Sequence, residues 1–136
     1  MSGLLAHLSR PPIARPLAAL AAAALAGVAI VHLIDGPMSL NDAAYVGVLE
    51  LALAAAATVT AVALVVGPVR DVWLVAAVLV GTAIVAYVAS RTVGLPGSMD
   101  DIGNWGEPIG IINLAAEGMV LALAAGALHR SAGATE

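Results

Sequence analysis

The sequence predicts an all-α protein that crosses a membrane as an antiparallel four-helix bundle. Of its 136 residues, 62% are hydrophobic and only 10% are charged, whereas soluble domains are about 45–50% apolar. Four apolar runs, at residues 17–34, 43–66, 72–92 and 109–128, approach the roughly 20 residues that a membrane-spanning helix needs. The very short turn GPVRD joins the second and third runs, as is typical of antiparallel neighbours. We expect residues 1–136 to form a single integral membrane domain.

Turn-forming and capping residues mark the ends of the predicted helices. The first sixteen residues contain PPIARP and are expected to be irregular or to lie at the membrane interface. A cleaved signal peptide is the alternative for the first run, but the apolar run continues past its possible AAALAG cleavage site. SLND, residues 39–42, matches a capping box before the second helix. Pro108 suits the first turn of the fourth helix, with Glu107 beside its positive dipole end.

The distribution of arginine predicts the orientation in the membrane, because short cytoplasmic loops are enriched in basic residues. If the helices alternate in direction, one side of the membrane holds Arg10, Arg15, Arg70 and Arg130. The other side then holds Asp35, Asp42, Asp100, Asp101 and Glu107. We therefore expect both termini in the cytoplasm and a multi-pass protein of the plasma membrane.

Each predicted helix carries one ionisable residue in its outer half: His32, Glu50, Arg91 and Glu117. A charged side chain in the bilayer costs roughly 2.5–3.5 kcal/mol on insertion scales, so partners are required. Asn113 and Glu117 are spaced i,i+4 and share a helix face. Arg91 is the expected counter-ion of Glu117 or Glu50, since its fork meets a carboxylate well. We predict that these five residues form one outward-facing polar cluster.

Two acids and one arginine leave several possibilities open for the cluster. The second acid could be neutral, meet His32 or meet a bound cation. If a metal binds, the ligands would be His32, Glu50 and Glu117; the sequence does not identify a metal or a cofactor. The structural alternative is that the polar residues only hold the helices together by hydrogen bonds.

The predicted outer loop contributes Asp35, Trp105 and Glu107 as further site candidates. Trp73 and Trp105 lie at opposite predicted interfaces and are expected to be interfacial anchors, with a lid over an outer pocket as the alternative for Trp105. The G-x-x-x-G spacing of Gly106 and Gly110 weakly indicates close helix contact.

The segment YVASRTVGLPGSMDDIGNWGEPIGIINLAAEG, residues 87–118, carries a resemblance to known sequences. It is similar to small, mostly uncharacterised four-helix membrane proteins of actinobacteria, with S-R-T-x-G-L-P-G, then W-x-E-P-x-G, then a glutamate in the last helix. The resemblance weakens over the first two helices. It implies a four-span fold and no particular activity. The matching positions are Tyr87, Ser90, Arg91, Gly94, Leu95, Pro96, Trp105, Glu107 and Glu117.

Several function classes are disfavoured by the sequence. A net charge of −4 without a basic run argues against a nucleic-acid partner, and the motifs of common soluble enzymes are missing. We therefore expect a non-enzymatic accessory or scaffold subunit, in contact with the lipid bilayer and with a membrane-protein partner or further copies of itself. The alternative is a binding or transport protein that takes a cation, proton or small polar ligand through the polar cluster.

Overall fold

The computed structural model describes residues 14–133, and in that range it is built from four α-helices. These are α1 (Ala14–Asp42), α2 (Ala44–Val66), α3 (Arg70–Thr92) and α4 (Pro108–Gly133). All four are long and apolar enough to cross a membrane. The prediction of an all-α four-helix bundle is confirmed, whereas the orientation in the membrane stays a prediction. Arg10 and most of the stretch expected to be irregular lie outside the described residues.

The helices pack in a ring in which each contacts the next and α4 returns to α1. Contacts across the ring show antiparallel neighbours: the end of α3 meets the start of α4 at Arg91 and Glu107. The end of α1 meets the first half of α4 at His32 and Asn113. The α2–α3 pair makes the fewest contacts of the four. We call this sparsely packed side of the bundle the α2–α3 seam.

The first helix continues beyond its predicted end at residue 34, and the capping-box prediction for residues 39–42 is wrong. Helix α1 runs through Pro37 to Asp42, so Ser39 lies inside a helix and cannot cap the next one. The N-cap of α2 is Ala43, in an extended conformation and without a side-chain cap. The Ser39 hydroxyl instead donates to Glu50 Oε2 at 3.3 Å. A single residue therefore separates α1 from α2.

Two glycines allow α1 and α2 to approach closely beside this junction. A Cβ on Gly47 would lie 2.5 Å from the backbone nitrogen of Leu40 and 2.7 Å from the carbonyl oxygen of Gly36. A Cβ on Gly36 would lie 2.8 Å from Leu51 Cγ. Only glycine leaves room for backbones at such separations, as in close-packed membrane helices.

The core of the bundle is made largely of alanine, with Leu25, Val28, Leu64, Val80 and Val120 as its largest apolar side chains that are completely buried. Trp73 is also part of this core, with only 5% of its surface exposed. The prediction that Trp73 is an interfacial anchor is therefore wrong. It lies in the first turn of α3 but faces inward, where the small alanines leave room for an indole.

The contact between Gly36 and Gly47 predicts an unequal response to adding a methyl group. We expect Gly47→Ala to lower the free energy of unfolding by about 1–3 kcal/mol, because overpacking forces the two backbones apart. Gly27→Ala is the matched control on α1, since its Cβ would meet nothing within 4 Å. Unfolding of both variants in detergent micelles measures the difference. Equal stability of the two variants would contradict the close contact.

Candidate functional site

The loop between α3 and α4, residues 93–107, folds over the guanidinium of Arg91. Arg91 is buried, with 6% of its side chain exposed, and its Nη1 lies 2.6 Å from Asp101 Oδ1. Its Nη2 lies 2.5 Å from Glu107 Oε2. The backbone N–H of Gly103 donates to the Arg91 carbonyl at 2.8 Å, and Gly103 has a φ of 81° that glycine adopts readily. Both ends of the guanidinium fork are thus held by this loop.

The prediction that Arg91 neutralises Glu117 or Glu50 is therefore wrong. Arg91 lies in the last turn of α3, and the loop that follows brings two carboxylates to it. The side chain extends toward this loop and not toward the middle of the bundle. Of the predicted loop candidates, Glu107 takes part in this network, and Asp101 joins it in a role that the sequence did not indicate.

Aromatic packing completes the surroundings of Arg91. Its guanidinium carbon lies 4.8 Å from the ring centroid of Tyr87, as their i,i+4 spacing allows. Trp105 packs edge-on against Tyr87, with 6.1 Å between the ring centroids. Gly110 leaves space for the Tyr87 ring, since a Cβ there would lie 2.8 Å from the Tyr87 hydroxyl. A Cβ on Gly106 would meet nothing within 4 Å, so only one of the two glycines makes a close contact.

Glu117 is contacted by an amide from its own helix and by an imidazole from α1. The residue is only 1% exposed. Asn113 Nδ2 donates to Glu117 Oε1 at 3.0 Å, as the i,i+4 spacing predicts. His32 Nε2 lies 3.5 Å from the same oxygen and 3.2 Å from Asn113 Nδ2. We call Glu117, Asn113 and His32 the buried trio. Both of these contacts of Glu117 use Oε1, and no hydrogen bond from residues 14–133 to Oε2 is seen.

Glu50 lies on α2 and joins neither Arg91 nor the buried trio by a direct bond. Its partner is the Ser39 hydroxyl on α1, a role for Ser39 that sequence spacing could not indicate. Within residues 14–133, no three His, Cys, Asp or Glu side chains are arranged to hold a metal ion. The possible metal set of His32, Glu50 and Glu117 therefore does not form.

A cavity of about 820 Å³ joins these polar groups and reaches the α2–α3 seam. Its polar lining includes the buried trio, Asp35, Glu50 and Arg91. Apolar side chains of α2 and α3 line the remainder, among them Leu49, Leu53, Val78 and Leu79. Trp105 does not line the cavity, so its predicted alternative as a lid gains no support. At the edge of the seam, the Tyr45 hydroxyl donates to the Pro96 carbonyl at 2.8 Å.

Buried polar atoms without a partner lie in the lining of this cavity. Asn113 Oδ1 and His32 Nδ1 are both buried and make no hydrogen bond within the described part of the chain. Arg91 Nε is likewise buried and makes no hydrogen bond within the described residues. Such atoms are few in native proteins, because leaving one unpaired costs about 1–3 kcal/mol. The lining thus has unused hydrogen-bonding capacity next to a buried carboxylate.

The Arg91 network predicts that the cation and its two acids respond differently to substitution. We expect the double variant Asp101→Asn/Glu107→Gln to be destabilised by about 3–5 kcal/mol, because it leaves a buried charge without a partner. Arg91→Leu should cost less, since both acids are partly exposed and can hydrate (43% and 38% of their side chains). Thermal unfolding in detergent gives both values. A larger loss for Arg91→Leu would show that the acids do not compensate the cation.

The hydrogen bond within α4 predicts a compensating pair of substitutions. Asn113→Leu should lower the free energy of unfolding by about 1–3 kcal/mol, since it deprives the Glu117 carboxylate of its closest donor. The double variant Asn113→Leu/Glu117→Leu should recover much of this loss, because it removes both polar groups together. A double-mutant cycle with the single Glu117→Leu variant measures the coupling. Strict additivity would mean that the two side chains do not interact.

Comparison with known proteins identified no relative of this chain. A scan against protein-family models, a search of curated proteins and a search of solved structures each found no match. The resemblance to four-span proteins of actinobacteria therefore stays a hypothesis. The Arg91–Glu107 bridge does give its two sequence motifs a physical link, because it joins S-R-T at the end of α3 to W-x-E-P at the start of α4.

Proposed function

We propose that this small membrane protein binds a small polar or positively charged ligand in the cavity beside the buried trio. The observation that carries this proposal is the unpaired Asn113 Oδ1, a buried acceptor on a cavity-lining side chain that is 7% exposed. Next to it lies the buried Glu117 carboxylate, which also lines the cavity and whose two described contacts both use Oε1. A purely structural cluster would be expected to satisfy its own polar atoms.

The size and charge of the cavity also support a ligand of this kind. Its volume of about 820 Å³ falls within the roughly 300–1,000 Å³ of small-molecule sites. Acidic residues outnumber basic ones in its lining, and both Nη atoms of Arg91 already hold carboxylates. The remaining charge is negative, which favours a neutral donor or a cation over an anion.

The helices offer no chain of charged residues from this cavity to the opposite end of the bundle. Toward that end, α2 has no Asp, Glu, Lys or Arg in residues 51–66 after Glu50. Likewise, α4 has none in residues 118–129, between Glu117 and Arg130. On α1 and α3, the intervals 16–31 and 72–90 contain no Asp, Glu, Lys or Arg. This favours a ligand site reached from one side over a proton relay that crosses the membrane. The proposed activity is non-enzymatic binding, with uptake as its extension.

An accessory or scaffold role is the second candidate, and the α3–α4 loop favours it. This loop exposes large apolar side chains, with Val93 71%, Met99 54% and Ile102 46% accessible. Adjacent exposed apolar residues often mark contact surfaces. A membrane-protein partner or a second copy of this chain would cover them. We also propose that the protein lies in the plasma membrane with both termini in the cytoplasm.

Native mass spectrometry of protein gently extracted from its own membrane tests the two candidates. We expect the full-length protein to retain a small molecule that Glu117→Gln loses, because the amide cannot supply the negative charge. Asp71→Asn is the matched control: it makes the same kind of change on an exposed carboxylate outside the cavity. A stoichiometric protein partner without any small molecule would overturn the binding proposal and support the accessory role.

A further inference from the structure

We propose that the ligand of this cavity is an organic ammonium ion that carries N–H groups and an apolar substituent. This inference rests on the proposed binding function and names its chemical class. The buried Glu117 and Asn113 would hold the ammonium head, and the apolar walls of α2 and α3 would hold the substituent.

The absence of an arginine or lysine in contact with Glu117, within the described residues, is the first reason. The carboxylate is 1% exposed, and its protein partners are an amide and an imidazole. The arginine that could neutralise it is bound on both Nη atoms by Asp101 and Glu107. A buried carboxylate is stable only when paired and hydrogen-bonded, so a bound cation would supply a permanent charge that no arginine or lysine of the described residues brings to it.

The arrangement of acceptors is the second reason. Glu117 accepts from Asn113 Nδ2, which turns Asn113 Oδ1 away from the carboxylate as an unpaired acceptor. The lining residues therefore carry one buried acceptor without a donor beside the Glu117 carboxylate. A protonated amine presents several N–H donors and one positive charge in a single group, and it fits both needs at once.

A metal ion and an anion fit the same lining poorly. Metal sites need several protein ligands around one point, and no group of three suitable side chains exists in residues 14–133. An anion would meet Asp35, Glu50 and Glu117 in the same cavity. The only arginine in the lining is already neutralised by two acids.

The apolar part of the cavity specifies the remainder of the ligand. Leu49 and Leu53 of α2 line the cavity, as do Val78 and Leu79 of α3. Polar solutes gain nothing from such walls, whereas each buried CH₂ group contributes about 0.8 kcal/mol. Two sources offer this combination: the ammonium headgroup of an aminolipid, and a free amine with an alkyl or aryl group.

Titration with matched eight-carbon amphiphiles tests the chemical class. The full-length protein is placed in phosphatidylcholine nanodiscs, and octylammonium, octyltrimethylammonium and octanol are titrated by calorimetry against empty nanodiscs. We expect saturable binding of octylammonium that is at least about tenfold tighter than that of octyltrimethylammonium, because charge-assisted N–H bonds are lost on methylation. Octanol should not bind saturably.

Variants connect the binding to the proposed residues. Glu117→Gln should weaken octylammonium binding by about tenfold or more, since a charge-assisted hydrogen bond is lost, while Asp71→Asn should leave it unchanged. If Glu117→Gln does not fold, Ala83→Leu provides the test, because it narrows the cavity from its lining without altering a charge. Equal affinity for the two cations, or binding that neither cavity variant reduces, would overturn the ammonium assignment.

Lipid addition separates the two sources of the ammonium group. Delipidated protein in detergent is offered phosphatidylethanolamine or phosphatidylcholine and analysed by native mass spectrometry. Selective retention of phosphatidylethanolamine assigns an aminolipid headgroup; octylammonium binding without lipid retention assigns a free amine. Both results support the ammonium class. If another small molecule is retained and lost on Glu117→Gln while octylammonium does not bind, only the ammonium class is wrong; if nothing binds, the proposed function is wrong too.

Discussion

The commitment of Arg91 to the α3–α4 loop determines how the other polar groups of the bundle are arranged. Asp101 and Glu107 occupy its two Nη atoms, so the loop is held on the end of α3 and the start of α4 is fixed beside it. This leaves Glu117 with Asn113 and His32 as its described partners and without an arginine. The Arg91 network and the buried trio therefore line different parts of one cavity: both Nη atoms of Arg91 are paired with carboxylates, whereas the trio contains a buried acid beside an unpaired acceptor.

The number of helices and the positions of three of them could be predicted, because long apolar runs between turn residues have few alternatives in a membrane protein. The extent of α1 could not, since Pro37 and SLND are ordinary signs of a helix boundary. Here the helix continues because Ala43 alone reverses the chain and the contact between Gly36 and Gly47 holds the two helices together. Likewise, the inward direction of Trp73 depends on the space left by alanines on other helices, which no local pattern reports.

The candidate site was predictable within one helix and less so between helices. The i,i+4 spacing correctly places Asn113 on Glu117, since helix geometry alone determines that contact. The partner of Arg91 was predicted wrongly because charge and approximate depth were the only guides, and the fold of the α3–α4 loop was unknown. Asp101 could be found only from that fold. Membrane depth brings residues to the same level, but the rotation of each helix decides which of them touch.

The hydrogen bond from Tyr45 to the Pro96 carbonyl has a mechanical consequence for the α2–α3 seam. It ties α2 to the α3–α4 loop at one end of the seam, while the short connection of residues 67–69 ties α2 to α3 at the other end. Between these two ties, few contacts join the two helices. A separation of α2 from α3 at the loop end would therefore require the hydrogen bond between Tyr45 and Pro96 to break.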